Sequence, residues 1–201
     1  MKILALELSS AQGSIALLDG NKIEFDREWP NDRKNSGPFF EYLAEVQKQF
    51  GKAGAIVVGL GPGSYAGTRI AISAAIGLQA ASRATLIGYP SICAIECDAP
   101  EYAVIGDARR NSFFYARICD RNLSEGPTLM SEAELREKLA KLDQKMSIFA
   151  TEKLPQFERA ELRYPAAKML AQLAAGAKRD FVQPPLEPMY LREPHITIPK
   201  K

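Results

Sequence analysis

Residues 55–82 read AIVVGLGPGSYAGTRIAISAAIGLQAAS: a β-branched run, a glycine-rich turn and a long stretch of small and aliphatic residues. After Arg69 no charged residue appears until Arg83, and only Ser73, Gln79 and Ser82 are polar. A helix lying on a sheet normally shows one polar face to water. This one is apolar or small nearly all round, so something must cover its second face. Leaving three or four such residues bare forgoes several kcal/mol, at ~1.5–3 kcal/mol for each large aliphatic side chain buried. Alanine and glycine along the face let another helix pack closely. The pattern predicts a protein–protein interface on this helix, centred on Ile70, Ala71, Ala74, Ala75 and Leu78, rather than coverage by the chain's own second half.

The turn that opens the helix has two nucleotide-binding look-alikes, and fits neither. A Walker A loop needs Gly-Lys-Ser/Thr, because the lysine reaches the phosphates. Here Gly67 is followed by Thr68 and Arg69. A dinucleotide fingerprint follows the first strand and has an acid about 20 residues on. This turn follows the fourth strand, and residues 79–90 contain no acid. Gly61 and Gly63 permit unusual backbone angles around Pro62. Ser64 is placed to cap the helix, and Gly67 allows close approach of another backbone. The open amides could attract an anion, with Arg69 as its partner. A tight strand-to-helix turn, with Arg69 in an ion pair, needs fewer assumptions.

The wider order supports an α/β fold built from a repeat. Residues 2–8, 13–18 and 22–29 read as an antiparallel meander, turning at Asp19-Gly20-Asn21. Phe39, Tyr42, Leu43, Val46 and Phe50 recur at helical spacing, and Gly51 and Gly54 end that helix. Then come strand 55–60, helix 64–82 and strand 85–88, giving β-β-β-α-β-α-β, the ribonuclease H-like pattern. The second half repeats it in shortened form. Strands fall at 102–108, 112–120 and 147–151, with helices at 131–142 and 165–178; residues 120–127 read as a turn. Ser131 and Glu134 form a capping box. Two tandem ribonuclease H-like lobes, 1–100 and a trimmed 101–201, make the sugar kinase/actin-like architecture. The proline-rich tail, 183–199, is expected to be extended and docked on a surface.

Composition excludes several classes of chemistry. A net charge of +2 is too small to argue for nucleic acid. No apolar stretch reaches the ~18 residues a membrane span needs, and MKILALELSSAQ lacks a signal-peptide core. Three cysteines, 93, 97 and 119, read as reduced thiols of a cytoplasmic protein, Cys93 and Cys97 as small buried side chains. The single histidine, His195, rules against a histidine zinc site and against Ser-His-Asp machinery unless the tail folds back into a cleft. Glu7 and Asp107 end the first strands of the two halves. They are candidate vestigial cleft acids, with turn capping as the simpler reading. No metal site, catalytic residue or cofactor is expected.

The segments ILALELSSAQGSIALL, GLGPGSYAGTRIAIS, GYPSICAI, DARRNSFFYAR and PMYLRE resemble the TsaB (YeaZ) family, in collinear order over residues 2–192. The resemblance implies a two-lobed actin-like fold. It also implies a non-catalytic role beside TsaD, which makes threonylcarbamoyladenosine at position 37 of tRNA, with TsaE as an ATPase of the assembly. Family members pair through their first two helices, with TsaD or as homodimers. That adds Phe39, Tyr42, Leu43 and Val46 to the expected interface and makes contact with tRNA indirect. The family usually has Asp where this chain has Glu7, and Thr-Gly-Leu-Arg where it has Ala66-Gly67-Thr68-Arg69. An ATP-binding or peptidase-like enzyme of the same fold is the alternative.

Overall fold

The computed structural model describes residues 1–31, 35–176 and 179–192 of the 201. The chain opens with β1 (Lys2–Glu7), β2 (Gln12–Asp19) and β3 (Lys22–Pro30), followed by α1 (Gly37–Phe50), β4 (Ala55–Gly59), α2 (Tyr65–Ser82) and β5 (Thr85–Tyr89). One turn of 3-10 helix, Ser91–Ala94, leads into β6 (Glu101–Asp107), β7 (Ser112–Cys119), β8 (Asn122–Ser131), α3 (Glu132–Ala140), β9 (Ser147–Ala150), β10 (Ala160–Leu162) and α4 (Ala167–Ala175).

The two halves are topological copies. The first sheet has the order β3-β2-β1-β4-β5 and the second β10-β9-β6-β7-β8. In each, the first strand is central, the next two pair antiparallel on one side, and the last two run parallel on the other. The expected pair of ribonuclease H-like lobes is therefore present. The second is trimmed where the first carries α2: only a loop joins β9 to β10.

Strands buried on both faces lose their alternation, and β1 and β4 show why. One face of the first sheet packs on α1 and α2 through Leu4, Leu6, Ile56, Val58, Phe39, Val46, Ala71 and Ile72. The other packs Ile3, Ala5, Ala16 and Val57 in one core with Tyr102, Val104, Phe114 and Phe149 of the second lobe. Helix α4 belongs to that shared core: it follows the second sheet in sequence yet packs on β1, β2 and β4 of the first. The Ser14 hydroxyl on β2 accepts the Ala167 N–H at its start, at 2.8 Å. Helix α4, from the second half of the chain, thus covers the inner face of the first sheet.

Strand β8 departs from the sequence pattern, which reads 120–127 as a turn. The turn is shorter, with Asp120 and Arg121 in the left-handed region, and an edge strand follows at once. Gly126-Pro127 sits within it beside a shift in register, as tolerated on an edge. The capping box forms as expected: Ser131 Oγ accepts the Glu134 N–H, and the Glu134 carboxylate accepts the Ser131 N–H. The described part of the tail is extended and docked. Val182 pairs with Gly88, Leu186 is buried, and the Met189 N–H reaches the Leu60 carbonyl at 2.7 Å. His195 and the rest of the tail lie outside the described residues. Cys93 is buried, with its thiol pushed up to about 12 by desolvation. Cys97 is half-buried and Cys119 exposed; all three are free thiols.

Candidate partner surface and interlobe cleft

The glycine turn is gripped by the chain itself. A Cβ on Gly67 would stand 2.1 Å from the Leu8 carbonyl oxygen, and one on Gly63 would stand 2.1 Å from that of Ser9. Both glycines therefore let the β1–β2 turn lie directly against the head of α2. The Ser64 N–H donates to the Ser9 carbonyl at 2.5 Å, and the Gly61 N–H to Ser91 Oγ at 2.9 Å. Ser64 Oγ caps the helix by accepting the Gly67 N–H at 3.2 Å. Four of the turn's amides, those of Gly61, Ser64, Gly67 and Thr68, are thus engaged within the chain. Arg69 is exposed and pairs with no carboxylate among the described residues; its guanidinium lies 5.0 Å from the Tyr65 ring centre and donates to the Tyr65 hydroxyl.

Only part of the expected interface faces outward. Ala71 and Ala75 are fully buried against the chain's own first sheet, and Phe39, Leu43 and Val46 lie in the same core. These positions cannot meet a partner without unfolding the lobe. The reason is geometric: α1 and α2 already use one stripe each to cover the sheet. Ile70, Ala74, Leu78 and Tyr42 are half-buried along the flanks. The outward stripe of α2 is instead Tyr65, Arg69, Ser73, Ile76, Gly77, Ala80 and Ala81. Ile76 is 49% exposed, and on the outside of α1 Phe40 is 51% exposed. Sequence reasoning misses Phe40, Tyr65 and Ile76. The signal is there, since a buried stripe at 39, 43 and 46 leaves 40 and 44 on the opposite side.

Between the lobes lies a cavity of about 720 Å³. Ser9 and Ser10 line it from the first lobe, Asp107, Arg109 and Lys153 from the second, and Arg192 from the tail. Asp107 is half-exposed there; its carboxylate accepts the Arg109 N–H at 2.7 Å and pairs with the Arg109 guanidinium at 3.3 Å. The Asp107 N–H donates to the Glu152 carboxylate. Glu7 is elsewhere. It has no exposed surface and does not line the cavity. Its Oε1 accepts the Ser9 N–H at 2.6 Å, and desolvation holds its carboxyl above the usual range. The two strand-end acids do not face each other across the cleft, so they do not fit a magnesium site. No cluster of three or more metal-ligating side chains occurs among the described residues.

Two five-stranded sheets of one topology, a shared core and a cleft between them define a protein of actin-like architecture. The family model described as TsaD, tRNA N6-adenosine threonylcarbamoyltransferase, matches residues 38–192, and the chain belongs to that family. Its fold matches that of YeaZ from Pseudomonas aeruginosa: TM-score 0.74 at 22% identity, covering 94% of this chain and 99% of that one. A second structure, of an uncharacterized protein with similarity to peptidase YeaZ from Pseudomonas aeruginosa, gives 0.75 at 23% identity, covering 95% and 99%. The uncharacterized protein Rv3421c of Mycobacterium tuberculosis is 29% identical over 157 residues, 76% of this chain and 70% of its own length.

Proposed function

We propose that this chain is a non-catalytic, TsaB-like subunit of the tRNA threonylcarbamoyladenosine machinery, with the outer face of α2 as its docking surface for a TsaD-like catalytic subunit. The observation that carries the proposal is the uncharged outer stripe of α2 beyond Arg69. It leaves Ile76 half exposed on the longest helix among the described residues, where no other part of the described chain covers it. Family membership supplies the pathway, and the sealed Glu7, which does not reach the cleft, argues against a metal-assisted phosphate chemistry in this lobe. In this reading a TsaE-like ATPase joins the assembly, the isolated chain pairs with itself through the same face, tRNA contacts the partner rather than this chain, and the complex works in the cytoplasm.

The test is Ile76→Arg. The side chain is exposed, so the variant folds with unchanged Tm. Placing a desolvated, unpaired charge in the interface is expected to weaken pairing at least about 100-fold, read by gel filtration and by titration against the TsaD-like subunit from the same genome. Unchanged pairing would place the interface elsewhere. The alternative, an ATP-binding or peptidase-like enzyme, is favoured only by the interlobe cavity, with Asp107, Arg109 and Lys153 on its wall. Calorimetry with ATP and Mg²⁺ addresses it: micromolar binding abolished by Asp107→Ala would support the enzyme.

A further inference from the structure

We propose that the Glu7 carboxyl is a proton-operated latch, fastening the glycine turn at the head of α2 to the 3-10 turn 91–94, the hinge in the sense of the link that joins the lobes.

The geometry carries this. Glu7 ends the central strand of the first sheet and is completely buried. Its Oε2 is wedged under β4: a Cβ on Gly59 would lie 1.7 Å from it and 2.5 Å from Ser91 Oγ. Only glycine at 59 leaves room for the acid. Its Oε1 takes the Ser9 N–H, and Ser9 holds the turn through its carbonyl and the Ser64 N–H. Ser91, on the other flank, exchanges hydrogen bonds with Gly61: the Gly61 N–H donates to Ser91 Oγ, and the Ser91 N–H donates to the Gly61 carbonyl at 2.8 Å. The carboxyl is thus the filler joining β1, β4, the turn and the hinge.

Among the described residues no cation balances it. The Ser9 and Ser91 hydroxyls lie near enough to favour the charged form, but burial outweighs them, and neither makes a well-formed hydrogen bond to Oε2. Across the β1–β2 ladder it faces Ser14, whose hydroxyl serves Ala167. The titratable group on the hinge is Cys93, a neutral buried thiol. On α4 it is Lys168, whose ammonium is engaged by Glu96 at 2.8 Å and by Asp26 at 3.9 Å. A carboxylate buried without a counter-ion costs far more than a neutral acid, so the folded chain holds this proton more firmly than an exposed carboxyl would.

The consequence is linkage with a definite sign. A carboxyl raised in the closed state loses its proton when the turn opens. Opening is therefore favoured as pH rises from the ordinary carboxyl value of 4.5 toward the closed-state pKa. Over that window the hydrogen-exchange protection factors of Gly61, Ser64 and Gly67 are expected to fall about tenfold per pH unit. In Glu7→Gln, which keeps the shape and cannot ionise, they are expected to be flat. A parallel measurement uses the wild-type chain alone. The Glu7 carboxyl carbon resonance is expected to titrate at higher pH than those of the exposed glutamates. A Glu7 resonance that moves with the exposed carboxylates, or protection independent of pH in the wild type, would overturn the latch. So would equal slopes in the two proteins. None of these readouts depends on a partner subunit.

Discussion

Replacing Gly67 with alanine sets two physical effects against each other on the same helix. By intrinsic propensity the change stabilises, since alanine is favoured over glycine by about 1 kcal/mol in a helix. By packing it destabilises. The new Cβ would stand 2.1 Å from the Leu8 carbonyl oxygen and 3.2 Å from both the Leu8 carbonyl carbon and Ser64 Oγ. The obstacle is backbone on a central strand's exit, which cannot rotate away, so the head of α2 must retreat. Overpacking of this kind costs about 1–3 kcal/mol. The retreat also strains the Ser64 N–H to Ser9 carbonyl bond, worth about 1 kcal/mol net. The net expectation is a loss of about 1–3 kcal/mol, or roughly 2–12 °C in Tm for a chain of this size. Gly77 is the internal control: it lies on the exposed face of α2, where an added Cβ would meet nothing within 4 Å. Gly77→Ala is expected to gain about 0.5–1 kcal/mol. Urea unfolding followed by the fluorescence of Trp29, buried in the core shared with α2, reads both. If Gly67→Ala proved as stable as Gly77→Ala, the close approach of the β1–β2 turn would be wrong.

Two further outcomes test the interlobe packing and a helix cap. Lys168 on α4 is held protonated first by its hydrogen bond to Glu96 and then by the charges of Glu96 and Asp26, against some desolvation. Its raised pKa means that its contribution is full below the ordinary lysine value of 10.5 and lost as pH rises through the folded value. Lys168→Met is expected to cost up to about 1 kcal/mol at neutral pH, since the pair is partly solvated, with the two proteins converging in alkaline urea titrations. Ser131→Ala removes the α3 cap and is expected to cost about 1 kcal/mol. The Glu134 carboxyl, held low by Ser131, should return toward the ordinary value of 4.5 in an NMR titration.

Local patterning makes the repeat legible. The alternation of β3, the helical spacing in α1, the β-branched run of β4 and the Ser131–Glu134 box each depend on neighbours in sequence, so each can be read directly. Gly67 is legible as a close approach, because a missing side chain in a helix head has few other uses. The identity of what approaches is not: Leu8 lies far earlier in the chain and meets it only because β1 and β4 pair in parallel. Strand β8 is hidden because Gly126-Pro127 mimics a turn when its edge position is unknown.

The sequence by itself determined that α2 beyond Arg69 has no charged face, since residue type along a helix is independent of what surrounds it. Only the tertiary structure decided which side of that helix is spent on the sheet and which is left over, turning Ala71 and Ala75 inward and Ile76 outward. It likewise decided that Glu7 is sealed at the hinge rather than open to the cleft. Burial is a property of the whole packed assembly of strands, turn and hinge, and no run of neighbouring residues encodes it alone.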